Sequence, residues 1–289
     1  MNTADAYALD QQLVRRRFAQ KAGKPALDAT LEDEIGSRLL EHLDPIKVEP
    51  RQVLDIGSGS GVTLLALRDK YPRANFVGLD CCFPMLMTAA TQLSPTLPTT
   101  QLVCADIAQT GLRSASVDLL FSNLTLNWCT DINAAIEELH RILRPGGLLM
   151  LSVLGPDTLS ELRNSWAQID SGPHVQQFPD MHDIGDNLTR TGFADIVIDA
   201  ERLTLEYKNI ERLFGDLRDW GVGNVCQGRA RSLTRRKDFE AMTAAYETLR
   251  RPNNTLPATC EVAYVHAWLP QQRGVSIPVA DFNPLRRRR

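Results

Sequence analysis

The 289-residue sequence lacks the features that carry a chain into or across a membrane. No apolar run approaches the roughly 20 residues of a bilayer span, and the stretch up to Phe18 holds no apolar core of signal-peptide length. The expectation is a cytoplasmic protein with no membrane partner. Cysteine is thinly spread: Cys81, Cys82, Cys104, Cys129, Cys226 and Cys260 form no C-x-x-C pair and no Cys/His cluster of zinc spacing. That excludes a disulfide framework and gives no ligand set for a metal. Strong charge of either sign is missing too. The formal net charge of -3 supplies no basic field for nucleic acid, so no nucleic-acid partner is expected. Internal repeats and long low-complexity segments are also absent.

What is present is an ordinary globular composition, 43% hydrophobic and 23% charged. Residues 10–43 read as two helical stretches broken near Gly23 and Pro25. From Val53 onward short apolar strands alternate with helices: strands at 53–56, 75–80, 101–106 and 116–122, helices at 63–71, 84–93 and 132–143. Pro145-Gly146-Gly147 then turns the chain into a strand at 148–153. This alternation predicts an α/β fold, a doubly wound and mostly parallel sheet with helices on both faces. Further on the reading is a helix capped by Asp157, helices at 183–191, 211–220 and 235–249, and strands at 196–198, 203–207 and 261–268. The division expected is a helical lid over 1–50, a core over 51–154, and a helical cap with sheet-completing strands over 155–270. A basic tail over 271–289 ends in Arg286-Arg287-Arg288-Arg289.

The sharpest local signal is Asp55-Ile56-Gly57-Ser58-Gly59-Ser60-Gly61, between a strand and a helix. Glycines there let the backbone turn tightly and approach a ligand closely. In an open α/β sheet such a loop lies at the carboxyl edge, where ligands bind. The spacing is G-x-G-x-G and not the dinucleotide G-x-G-x-x-G, and no Lys-Ser/Thr follows to make a phosphate loop. Asp80 ends the next strand, where a carboxylate can accept from both ribose hydroxyls or simply cap the helix at Pro84. Asp106 ends the third strand, where it can accept from an adenine amino group beside the Ile107 N–H, or serve only its turn.

The ordered run of that loop, Gly78-Leu79-Asp80, Ala105-Asp106, Asp118-Leu119-Leu120-Phe121-Ser122-Asn123 and Leu143-Arg144-Pro145-Gly146-Gly147 resembles the class I S-adenosylmethionine-dependent methyltransferases. The resemblance implies a seven-stranded sheet whose last strand is antiparallel. It also implies S-adenosyl-L-methionine as cofactor, leaving S-adenosyl-L-homocysteine. Asp55, Gly57, Gly59 and Gly61 would form the methionine side of the site, Asp80 the ribose side, and Asp106 with Ile107 the adenine side. Asn123 would lie beside the reacting methyl group.

A narrower resemblance covers residues 14–270. Ser122-Asn123-Leu124-Thr125-Leu126-Asn127-Trp128-Cys129, Gly155-Pro156-Asp157-Thr158-Leu159, Pro173-His174-Val175 and Asp216-Leu217-Arg218 are similar to the malonyl-acyl-carrier-protein O-methyltransferases of biotin synthesis. That implies an acyl carrier protein bearing a malonyl thioester, or malonyl-CoA, as the acceptor. A malonyl carboxylate is already ionised at neutral pH, so it needs alignment and a gripping cation but no general base. Arg163 and Arg218 are the candidates for that cation, each with a carboxylate neighbour in sequence as the competing use. His174 reads as a hydrogen-bonded loop residue, and Trp128 and Trp220 as packing. Arg229, Arg231, Arg235, Arg236 and Lys237 form the densest basic stretch, suited to an acidic carrier or simply solvated. Arg15-Arg16-Arg17 sits on a helix placed to close over the cofactor. In one departure, Pro25-Ala26 stand where the subgroup carries Tyr-Asp. A protein-modifying hydroxylase or assembly factor on the same fold, and a methyltransferase of another small molecule, are the competing readings.

Overall fold

The computed structural model describes residues 3–23, 31–97, 99–219 and 223–271. Pro25-Ala26, Trp220 and the basic tail from 272 onward lie outside them. In chain order the elements are α1 (Thr3–Tyr7), α2 (Gln11–Lys21), α3 (Leu31–Glu41), β1 (Gln52–Ile56), α4 (Val62–Lys70), β2 (Asn75–Asp80), α5 (Phe83–Leu93), β3 (Gln101–Cys104) and β4 (Val117–Asn123). A 3-10 turn over Leu126–Trp128 leads to α6 (Ile132–Ile142), β5 (Leu143–Leu154), α7 (Ser160–Ala167), α8 (Met181–Thr191), β6 (Ala194–Tyr207), α9 (Ile210–Asp219), α10 (Arg236–Glu247) and β7 (Leu256–Trp268).

The seven strands make one sheet in the order β3-β2-β1-β4-β5-β7-β6. The first five pair in parallel, and β7 runs antiparallel to both β5 and β6. Side chains alternate across this sheet, as a pleated strand requires. In β5, Leu149, Leu151 and Val153 face one core while Leu148, Met150 and Leu154 face the other. α6 and α8 cover the first face through Ile136, Leu139, Ile184 and Leu188. α3, α4 and α5 cover the second through Ile35, Leu39, Leu64, Leu67 and Leu93. Strands buried on both faces explain the near-continuous apolar runs that the sequence shows.

Three expectations are corrected. The strands expected at 196–198 and 203–207 are one strand, β6, paired with β7 from Val197↔His266 to Tyr207↔Leu256. The charged residues between them do not break it, because Arg38 reaches over from α3 to bind Glu201 at 2.5 Å. Asp157 does not cap α7. The helix begins at Ser160 behind Leu159, whose φ is 55°, and the Asp157 carboxylate instead pairs with Arg202. Finally, Leu143 directly after α6 already belongs to β5, so the Pro145-Gly146-Gly147 irregularity lies inside that strand's pairing with β4.

α7, α9 and α10 pack together beyond the sheet through Leu162, Trp166, Leu213, Leu217, Met242 and Tyr246. α2 lies apart, its Leu13 and Val14 packed against Val225. None of the helices among the described residues is long and apolar enough to cross a membrane.

Candidate active site

The glycine loop follows β1 directly and is tied to β2 by Gly57 N and Ser58 N, which donate to the Leu79 carbonyl at 2.7 and 3.1 Å. Gly57 has φ of 73°, and a Cβ there would lie 2.0 Å from Thr125 Oγ1. Only glycine lets β1 pass the 3-10 turn this closely. Gly59 has φ of 52°, and a Cβ there would stand in ordinary contact with Met85 Cε at 3.5 Å, so the left-handed backbone and not crowding asks for glycine.

Two carboxylates stand beside the loop. Asp80 accepts from Gly59 N at 3.0 Å and from Cys82 N at 2.7 Å, one bond on each oxygen. Each oxygen keeps a further lone pair for a ligand hydroxyl. Burial raises its pKa, and the two backbone donors oppose that shift. Asp55 is 1% exposed and its Oδ2 has no hydrogen-bond partner among the described residues. Burial, then the nearby charge of Asp80, push it up to about 8. An orphaned buried carboxylate oxygen and a carboxylate with spare lone pairs, both beside a glycine loop, fit a ligand that is cationic and carries hydroxyls.

Asp106 and Ile107 lie at the far side of this edge. Ile107 is buried in the core. Asp106 accepts from Ala108 N at 3.0 Å within its own turn, and from Arg15 at 3.3 Å. Arg15 belongs to α2, which therefore closes over the carboxyl edge of the sheet. Cys82 Sγ donates to the Arg15 carbonyl at 3.9 Å, and Phe18 meets Trp128 edge-on with ring centroids 5.3 Å apart. α2 is also bound to the chain after α9: Asp10 N donates to the Val225 carbonyl at 2.8 Å, and Arg229 pairs with Asp10 at 2.9 Å.

Across from the glycine loop a cavity of about 420 Å³ opens between the sheet and the helices α7 and α9. Leu124, Asn127 and Trp128 form its wall on the loop side, adjoining the Thr125 that abuts Gly57. Leu162, Trp166, Phe178, Phe214 and Leu217 make much of the rest apolar, with Arg17, Arg218 and Arg229 among its polar members. Leu124 and Leu159, both lining it, hold φ of 57° and 55°, a strained backbone of the kind that clusters at ligand sites.

The site residues expected from the sequence fall into two groups. Asp55, Gly57, Gly59, Gly61 and Asp80 come together around the loop. Of the two candidate arginines, Arg218 lines the cavity. Arg163 does not: its Nη1 and Nη2 donate to the Pro156 and Thr158 carbonyls at 2.9 and 3.0 Å, bracing the β5–α7 connection. Asn123 is likewise engaged. Its Nδ2 donates to the Glu32 carbonyl at 2.8 Å and its Oδ1 accepts from Ser152 Oγ at 2.6 Å, which ties α3 to the ends of β4 and β5. His174 is held by Asp170 at 2.9 Å and stacks on Trp166 with centroids 3.8 Å apart. Sequence reasoning missed Gln176 altogether and left Arg17 as one member of a basic helix face. Nothing local in the sequence marks either; only the packing of α2 and the α7–α8 connection on one cavity brings them together.

A methyltransferase-domain family model matches residues 54–151. The malonyl-[acyl-carrier protein] O-methyltransferase of Methylovorus sp. (strain MP688) is 43% identical over 281 residues, 96% of this chain and 94% of its own length. That of Gallionella capsiferriformans (strain ES-2) is 40% identical over 276 residues, 92% of this chain and 93% of its own. Among solved structures, a putative methyltransferase from Bacillus halodurans C-125 covers 82% of this chain and 100% of its own at 14% identity, with a TM-score of 0.60. At that identity the likeness is one of fold.

Proposed function

The chain belongs to the malonyl-[acyl-carrier protein] O-methyltransferase family, and we propose that it methylates the free carboxylate of a malonyl thioester on an acyl carrier protein, as a step of biotin synthesis in the cytoplasm. Malonyl-CoA presents the same acyl head and is the simplest soluble acceptor. The methyl donor is S-adenosylmethionine, which supplies an electrophilic methyl group on a sulfonium. The observation that carries the acceptor reading is the largely apolar cavity directly across Leu124 and Thr125 from the glycine loop, with arginines in its wall.

The chemistry asks little of the protein beyond placement. As the carboxylate oxygen forms its bond to the methyl carbon, the sulfur–carbon bond breaks to a neutral thioether, and no proton moves. A general base is therefore unnecessary. Aligning oxygen, methyl and sulfur contributes up to about 7–11 kcal/mol in well-ordered cases, and the apolar walls strip water from the carboxylate. Asp80 is assigned to the ribose hydroxyls, and Asp55, Gly57, Gly59 and Gly61 to the methionine side. Asp106 and Ile107 are assigned to the adenine side, where each Asp106 oxygen keeps a lone pair beyond its contact with Ala108 or Arg15. Arg218, exposed where α9 borders the cavity, suits an anionic part of the acceptor at the mouth. Asn123 acts by holding α3 in place at the sheet edge. The exposed Arg231, Arg235, Arg236 and Lys237 lie just beyond Arg229 and Ala230 of the cavity wall, on the side from which an acidic carrier would approach.

The test is calorimetric titration with S-adenosylhomocysteine, then a methyl-transfer assay on malonyl-acyl carrier protein. Binding with turnover is expected, and Asp80→Ala is expected to abolish binding while the far-ultraviolet circular dichroism stays unchanged. Binding without turnover on either malonyl thioester would reject the acceptor assignment.

A further inference from the structure

Two polar side chains in the cavity wall are buried without a hydrogen-bond partner among the described residues. Gln176 is 5% exposed, and neither its Nε2 nor its Oε1 is bonded. Arg17 has a buried Nη1 in the same condition. They come from separate segments, α2 and the α7–α8 connection, yet both line the one cavity. A buried polar group left without its partner costs about 1–3 kcal/mol, and more where charge is involved, so two donors and one acceptor unmet around one cavity point to a ligand that meets them.

The charges of the cavity say which kind. Glu32 pairs with Lys21 at 2.6 Å, Arg229 with Asp10 at 2.9 Å and His174 with Asp170 at 2.9 Å. Arg17 and Arg218 have no ion pair among the described residues. Arg218 is exposed, whereas burial and the neighbouring Arg229 and Arg16 all weaken the hold of Arg17 on its proton. A buried cation beside other cations, with no carboxylate against it, is a site for an anion. Gln176, which offers a donor and an acceptor on one planar group, suits a neutral carbonyl with an N–H nearby.

We propose that Arg17 and Gln176 together recognise the acyl head of the acceptor. Arg17 receives the carboxylate oxygen that is not methylated. Gln176 donates Nε2 to the thioester carbonyl and accepts at Oε1 from an N–H of the arm that carries the thioester. This deepens the function proposed above and rests on it. It also gives the site a means of release: methylation removes the carboxylate charge, so the ion pair with Arg17 gives way to a weaker bond from the guanidinium to an ester carbonyl.

The experiment uses the full chain, malonyl-CoA as acceptor, and acetyl-CoA as the probe that keeps the thioester but lacks the carboxylate. The wild-type protein saturated with S-adenosylhomocysteine is expected to bind malonyl-CoA more tightly than acetyl-CoA. Arg17→Gln should weaken malonyl-CoA about ten- to a hundredfold and erase that preference, with affinity for S-adenosylhomocysteine unchanged. Gln176→Leu should weaken both thioesters by the same factor. Should Arg17→Gln fail to fold, Arg17→Lys keeps the charge without the planar fork, and a reduced preference is expected. A preference retained in the Arg17 variant overturns the proposal. So does a loss of S-adenosylhomocysteine affinity with the preference intact, which would give Arg17 to the cofactor. If the wild-type protein methylates neither malonyl-CoA nor malonyl-acyl carrier protein, the functional reading fails first and takes this one with it; turnover in the wild type separates the two failures.

Discussion

Asp55 carries the largest electrostatic tension beside the glycine loop. Its carboxyl lies under the loop with one oxygen unpartnered, and burial followed by repulsion from Asp80 pushes it up to about 8 from an ordinary 3.8. The folded value is above the unfolded one, so the apoprotein is stabilised most below about pH 4, and that contribution fades as pH rises towards 8. A cationic ligand beside the pair favours the ionised form instead. Affinity for S-adenosylmethionine, which carries the sulfonium, is therefore expected to rise between pH 6 and pH 8, by up to about tenfold per unit, with protons released on binding. Titrations in buffers of different ionisation enthalpy would count those protons, and Asp55→Asn should flatten the profile. A pH-independent affinity in the wild type would mean that Asp55 keeps its proton in the complex.

At the scale of single elements, polar side chains position the cavity's walls without entering it. Asn123 joins α3 to two strand ends, and Arg163 joins α7 to the loop before it. Arg163→Ala leaves two loop carbonyls without their guanidinium donor and empties a half-buried site. It is expected to cost about 1–3 kcal/mol of stability, seen as a lower denaturation midpoint, while the KM for malonyl-CoA stays near the wild-type value. A raised KM at unchanged stability would return Arg163 to the acceptor. The elements themselves were largely legible. Short apolar runs alternating with helical stretches marked β1, β2 and β4 with the helices between them, and helical spacing of Leu31, Ile35 and Leu39 marked α3. The misread strand pair at the sheet edge has a clear cause. β6 runs through Asp199 and Glu201 because charges on an edge strand can be satisfied by another element, here His42 and Arg38 of and just beyond α3.

For the whole molecule, α2 is the piece that joins the two halves of the site. It touches Asp106 and Cys82 on the glycine-loop side, and its cap Asp10 holds Val225 and Arg229 on the cavity side. Cofactor binding should therefore steady both at once. Deuterium exchange is expected to slow together over 11–21 and 223–229 when S-adenosylhomocysteine is added. Protection of α2 alone would show that the cavity wall around 223–229 moves independently.

The sequence by itself determined the sheet and the loop at its edge, because alternation of strand and helix and a run of glycines are local patterns with local physical causes. It supplied Asp55 and Asp80 for the same reason: each sits at or near a strand end that the pattern places at the carboxyl edge. The cavity is different. Its walls come from α2, the β4 end, the α7–α8 connection and α9, separated by up to two hundred residues of chain, and no spacing rule relates them. Only tertiary packing could decide that Arg163 braces a loop while Arg218 lines the cavity, and that Arg17 and Gln176 meet there. Whether a side chain is buried and whether its polar atoms find partners depend on neighbours that folding brings together, not on neighbours in sequence.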